Sequence, residues 1–241
     1  MKRFKEFSKK EFCIFLKTVI LFVILSAAIV AFSFAEEVSS LKQEEENLWQ
    51  KAVRHNNLGN TYDEKGDFEK AIAEYKKAIE INPKLVMAYS NLGNVYYKKG
   101  VFDKALELFK KAIEINPKIA YCHSNLGNVY YQKGNYAAAI REYKIALSLD
   151  PELAYVYNNL GDTYLRKGLA DLAIKNFKKA IALEPNFIVA HFNLAEAYRT
   201  KKQFKLAKRE YQKILKIKPL PDTYRKKASE LLKELKHKAF R

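Results

Sequence analysis

Histidine, cysteine and carboxylate are the side chains here most able to do chemistry, and the histidines fall in a pattern. His55, His123 and His191 stand 68 residues apart, with Tyr89 and Tyr157 at the midpoints, so the five form one series at steps of 34. Three imidazoles suggest a metal, whose ligand bonds are only ~2 Å long. Residues carried along a regular stack, two steps apart, are too distant to share one ion. Cys13 precedes an apolar run, the wrong side for the lipidated cysteine of a lipoprotein. Cys122 matches Ala88 and Ala190 in the same register and reads as a small packing residue, the alternative being an intermolecular bridge. Every glycine from 59 to 168 belongs to the same periodic pattern, so no glycine-rich loop is left to cradle a phosphate. Carboxylates such as Glu80 and Glu114 keep helical solvent positions. No catalytic constellation results. The expectation is a chain with no catalytic residues, no cofactor and no metal, and not an enzyme.

The elements beneath that pattern are set by a period. Pro83, Pro117, Pro151, Pro185 and Pro219 recur every 34 residues, as do the Asn-Leu pairs beginning at Asn57, Asn91, Asn125, Asn159 and Asn193. Such a period marks a stack of supersecondary units. Within Val86–Ile119, Ala88, Leu92, Val95 and Tyr96 form one apolar helical face, and Gly100 is placed to end that helix in the left-handed region. Phe102, Ala105, Leu106, Phe109, Ala112 and Ile113 form a second face, which Pro117 stops. Each unit is thus an antiparallel helix pair, A then B. Gly59, Gly93, Gly127 and Gly161, with Ala195 in the fifth copy, recur on A; Ala71, Ala105, Ala139, Ala173 and Ala207 recur on B. Small residues at a crossing let backbones approach while the large B-helix partners Tyr75, Phe109, Tyr143, Phe177 and Tyr211 interlock.

The run AYSNLGNVYYKKGVFDKALELFKKAIEINP, Ala88–Pro117, resembles the tetratricopeptide repeat (TPR). The resemblance implies an all-α, right-handed α-solenoid of five helix pairs at 52–85, 86–119, 120–153, 154–187 and 188–221. The histidine positions then fall at the family's aromatic packing site. Residues 222–241 read as a capping helix and tail, with Tyr224, Ala228, Leu231, Leu232 and Leu235 on one face and Asp222 as its N-cap.

The N-terminus is built differently. Residues 1–17 carry six Lys and Arg against two Glu, a net of +4, and read as a basic cytoplasmic segment. Residues 18–35 hold no charge, and eleven of them are Val, Ile, Leu or Phe. As a helix this run is ~27 Å long against a hydrocarbon core of ~30 Å. Two readings fit: a transmembrane anchor, or a signal peptide cleaved after Ala35 that leaves a periplasmic or secreted protein. Either one exports the repeats and disfavours nucleic acid as a partner. Residues 36–51 form an acidic helical lead-in in which Trp49 packs on the first repeat. From Arg199 to Arg241 sixteen Lys and Arg face four Asp and Glu, a net of +12, which leaves +1 for residues 18–198. That end is either a solubilising cap or a patch for an acidic partner.

TPR arrays line their concave face with helix A. Carried onto this sequence, the inward positions include the ladder Asn57, Asn91, Asn125, Asn159 and Asn193, the neighbours Asn60, Asn94 and Asn128, and Tyr97, Tyr121, Tyr131 and Tyr155. The His-Ser-Asn-Leu and Tyr-Ser-Asn-Leu starts are similar to the TPR superhelix of O-GlcNAc transferases, whose asparagine ladder holds extended peptides; no glycosyltransferase domain follows here. Asn can donate to and accept from any peptide backbone, and it can equally join neighbouring helices of the stack. The basic positions of the chaperone-binding TPR clamp read Asn56, Tyr121 and Asn125 here, which implies no carboxylate clamp. The expected function is a non-enzymatic scaffold, anchored in the cell membrane or exported, that binds extended peptides of partner proteins. The alternative is an accessory subunit of an envelope enzyme complex that docks through the basic C-terminal cap.

Overall fold

The computed structural model describes the backbone of residues 9–238 and the side chains of residues 13–22, 25, 26 and 31–235. Among these it contains eleven helices and no strand. The first, α1, runs from Lys9 to Glu64. Then come α2 (Phe68–Ile81), α3 (Val86–Lys98), α4 (Phe102–Ile115), α5 (Ala120–Gln132), α6 (Tyr136–Leu149), α7 (Ala154–Arg166), α8 (Ala170–Leu183), α9 (Ile188–Thr200), α10 (Phe204–Ile214) and α11 (Asp222–Lys238). Each helix packs on its chain neighbours, and the A-type helices α1, α3, α5, α7 and α9 also touch one another in order.

The turns follow the sequence signals. At the end of α3, Gly100 adopts φ 74° and its amide bonds Tyr97 O, while Val101 N reaches Tyr96 O at 2.9 Å. This Schellman arrangement satisfies two terminal carbonyls that α3 leaves open. Tyr62, Tyr130, Tyr164 and Tyr198 accept the same bond in their copies. In the last of these Lys202 holds the left-handed position, φ 58°. The B helices end on extended Asn82, Asn116 and Asp150, whose side-chain oxygens bond the amides two residues on.

The small–large pairing is direct. A Cβ on Gly59, Gly93, Gly127 or Gly161 would meet the ring of Tyr75, Phe109, Tyr143 or Phe177 at 2.6, 2.9, 2.6 and 2.7 Å. Leu92, Leu126, Leu160 and Leu194 are buried, each behind the preceding B helix. Leu58 has no preceding B helix and is 41% exposed.

Three expectations change at the ends. Anchor, lead-in and first A helix are not separate segments: α1 runs through all of them. No Gly or Pro precedes Gly59, so nothing breaks it. A membrane-spanning helix over 18–35 is not supported. Among the described residues no helix is long and apolar enough to cross a membrane. The side chains of 23, 24 and 27–30 in that stretch lie outside the described residues, as do residues 1–8 of the basic segment. Finally, Asp222 is the first residue of α11 and not its N-cap; the carbonyl of Pro221 accepts from Tyr224 and Arg225. Trp49 is 46% exposed and borders an open hollow with Ile81, Asn82 and Pro83. At the other end, α11 buries Ala228 and Leu235 against the last repeat.

Candidate peptide-binding groove

The A helices bring the asparagines into one row, and the row is bonded along the stack. Asn91 Nδ2 donates to Asn56 Oδ1 at 3.0 Å and to Asn60 Oδ1 at 2.9 Å. Asn125 donates to Asn94 Oδ1, Asn159 to Asn128 Oδ1 and Asn193 to Asn158 Oδ1, at 2.9–3.0 Å. Each ladder amide after the first thus donates backward to the preceding A helix. Asn57, the first of the series, is exposed, and its Oδ1 receives only a long contact from Asn56 at 3.5 Å. The Oδ1 atoms of Asn91, Asn125 and Asn193 receive no donor among the described residues, which leaves acceptors along the row.

The neighbours Asn60 and Asn128 are fixed from below. Tyr75 Oη donates to Asn60 Oδ1 at 2.8 Å and Tyr143 Oη to Asn128 Oδ1 at 2.7 Å. Burial is the main reason that both phenols titrate far above their ordinary range. The B helices of the second and fourth copies carry Phe109 and Phe177 instead, which have no hydroxyl. There Asn94 bonds Tyr121 Oη, and Asp162 accepts from Tyr131 Oη.

Of the four tyrosines, Tyr121 is exposed and Tyr97, Tyr131 and Tyr155 are half-buried. Tyr97 stacks edge-on against Phe102, and its hydroxyl accepts from Gln132 at 3.2 Å. Arg166 Nε donates to Tyr131 Oη at 3.1 Å. Burial, then the Asp162 carboxylate, pushes the Tyr131 hydroxyl up to about 12. Tyr97, Asn128, Tyr131, Gln132, Tyr143, Asn159 and Asp162 line a small open pocket of about 180 Å³ in this row. Tyr121 and Tyr155 lie outside it.

The histidines have an answer that the 34-residue period hid. His55, His123 and His191 each place Nδ1 on a glutamate 19 residues ahead: Glu74 at 2.6 Å, Glu142 at 2.9 Å and Glu210 at 2.7 Å. Nε2 of His123 and of His191 meets the carbonyl of Pro117 and of Pro185. Glu74, Glu142 and Glu210 are buried polar residues of the core, bridging helix A to helix B. Their only signal in the sequence is co-occurrence with histidine at a spacing of 68. Among the described residues no group of three or more His, Cys, Asp or Glu side chains could hold a metal ion. Cys122 is buried, which raises its thiol pKa; Ser90 Oγ lies 3.8 Å from its sulfur.

Family models for the "TPR repeat" match at 59–100, 93–134 and 127–168, and models for the "tetratricopeptide repeat" at 154–187 and 176–209. No curated protein sequence matches the chain. Among solved structures, the MamA protein is 29% identical, over 69% of this chain and 91% of its own, with a TM-score of 0.61. YrrB, described as a TPR protein with an unusual peptide-binding site, is 25% identical over 74% of this chain and 92% of its own, with a TM-score of 0.57. A thermophilic TPR protein of Thermus thermophilus, TTC0263, is 24% identical over 75% of this chain and 98% of its own, at 0.63, and speaks for the fold alone.

Proposed function

Because the chain belongs to the tetratricopeptide repeat family, we propose that its A-helix face binds extended peptide segments of partner proteins, and that the protein is a non-enzymatic interaction scaffold. The observation that carries this is the asparagine row. Its amides are tied backward at 2.9–3.0 Å, so its oxygens stand at fixed intervals without a side-chain entropy cost on binding. Peptide N–H groups of any sequence suit such acceptors, and Tyr97, Tyr121, Tyr131 and Tyr155 supply rigid contact area for side chains. A peptide-binding site in the related YrrB supports the reading.

The N-terminal arm is where the cell membrane enters the proposal. Ile14, Phe15, Ile20, Leu21, Phe22, Leu25, Phe32 and Phe34 are all more than half exposed on α1, apolar area that favours a lipid surface over water. The stack is then held at the membrane. Recovery of the full chain wholly in the supernatant after membranes are sedimented would remove this part.

The groove is tested on a partner captured from membranes by the full chain. Each lost amide contact costs ~0.5–1.5 kcal/mol, so replacing Asn91, Asn125 and Asn159 together with Ala weakens binding ~10-fold or more. The same amides join the helices, so Tyr121→Ala, at an exposed position, serves as a second variant that keeps every ladder amide and gives up the bond to Asn94. Unchanged affinity in both variants rejects the groove. Loss of binding on charge reversal at Lys226, Lys227 and Lys233 instead assigns the partner to the basic cap, as an accessory-subunit role requires.

A further inference from the structure

The pocket in the middle of the row carries one formal charge, and it is negative. Asp162 stands at the position that Asn60, Asn94 and Asn128 fill in the first three copies. One of its carboxylate oxygens, Oδ2, accepts from Tyr131; its other oxygen receives no donor among the described residues. Among the described residues Asp162 makes no ion pair, in contrast to Asp63, which Lys98 holds at 2.7 Å, and to Glu196, which Arg199 holds at 2.9 Å. Arg166 feels the Asp162 charge but forms no ion pair with it; its Nε donates to the Tyr131 hydroxyl, and it does not line the pocket. A half-buried carboxylate beside an open pocket attracts a cation more strongly than one in bulk water.

Shape narrows the ligand. A volume of about 180 Å³ falls below the ~300–1,000 Å³ of small-molecule clefts and leaves room for one long side chain. Tyr97 and Tyr131 also line the pocket, and aromatic walls suit an ammonium or guanidinium group. We propose that this pocket is a specificity subsite for a lysine or arginine side chain of the bound peptide, with Asp162 as its counter-charge. The inference rests on the groove reading and adds what the backbone-reading row cannot provide, a preference for sequence.

The test uses the full chain and two pools of random 12-residue synthetic peptides. They are identical except for a central position fixed as Lys or Arg in one pool and as Gln or norleucine in the other. A charge-assisted contact gives the basic pool a preference of ~10-fold or more, weaker at high salt. Asp162→Asn erases the preference; the stack accepts Asn because three other copies carry it there. Asp162→Lys turns the preference toward a third pool with Glu at the centre, a result misfolding does not produce. Equal binding of basic and neutral pools by the wild type overturns the subsite and leaves the groove reading standing. A basic preference that survives Asp162→Asn also overturns it. Binding of neither pool overturns the groove reading and the subsite together.

Discussion

Converting one repeat from its histidine form to its tyrosine form tests how the stack tolerates buried charge. The third copy pairs His123 with Glu142 at 2.9 Å, and both side chains are about nine-tenths buried. The second copy has Tyr89 and Leu108 at the same two positions, where they border one shallow hollow. His123→Tyr alone leaves Glu142 buried with Arg141 at 3.6 Å as its remaining ion contact. Glu142→Leu alone strips His123 of its Nδ1 partner and keeps only the Pro117 carbonyl. Each single change leaves a buried polar group unmatched, at about 1–3 kcal/mol. The double change removes both polar groups and fills the site as the second copy does, so it lands within about 1 kcal/mol of wild type, since replacing a buried pair by apolar residues is often near neutral. The two single costs sum to about 2–6 kcal/mol, so the cycle shows a coupling of at least about 1 kcal/mol, as expected of residues in contact. Urea denaturation followed by circular dichroism measures it, with equal slopes as the check that the unfolded state is unchanged. Additive single effects would refute the claim that the two residues act as one pair.

Two further outcomes are expected. Gly127→Ala destabilises more than Gly93→Ala. The new Cβ meets the Tyr143 ring at 2.6 Å and the Phe109 ring at 2.9 Å, and the Tyr143 ring is pinned by its bond to Asn128. Overpacking at ~1–3 kcal/mol exceeds the ~1 kcal/mol gain in helix propensity at position 127, and thermal melts that rank the variants the other way would contradict this. Acid weakens the first and fifth copies. The Lys77 hydrogen bond, then that of His55, lowers the Glu74 pKa; burial pushes Glu210 up, but His191 and Lys213 together outweigh it and the net shift is down. Folded values below the unfolded one of ~4.3 mean stability that is present above that pH and lost as pH falls through the folded values. The urea midpoint should hold down to about pH 5 and drop below about 4, and a Glu74→Gln, Glu210→Gln variant should show a shallower drop.

The period was legible because the constraints behind it are local and steric. A glycine whose Cβ would strike a ring, and a glycine at φ near 75°, admit few other residues, so their spacing survives in plain sight. The site was legible only in part. The face that carries the asparagines follows from helical register, but the direction of their bonds does not. An amide can donate along the stack or accept from a ligand, and only the 2.9–3.0 Å contacts to the preceding helix decide that it does the first and retains the second. The glutamates at 74, 142 and 210 were hidden among 27 acidic residues, most on solvated faces. The length of α1 could have been read from the lack of any Gly or Pro before Gly59, but a change of composition at residues 17 and 36 suggested boundaries where the backbone has none.

Two alternations with a period of 68 run through the same stack, and they meet at the groove. Copies with histidine on helix A carry tyrosine on helix B: His55 with Tyr75, His123 with Tyr143, His191 with Tyr211. Copies with tyrosine on A carry phenylalanine on B: Tyr89 with Phe109 and Tyr157 with Phe177. Where B supplies a hydroxyl, it is bonded to Asn60, Asn128 or Glu196 and fixes that group from beneath. Where B supplies a bare ring, Asn94 and Asp162 have no such tether and bond tyrosines of adjacent copies, Tyr121 and Tyr131. The polar groups on the A-helix face thus alternate between bonds from the B helix beneath them and bonds to tyrosines of an adjacent copy. Of Asn94 and Asp162 only Asp162 is a carboxylate; above the bare ring of Phe177 it accepts from Tyr131 through one oxygen, and the other receives no donor among the described residues.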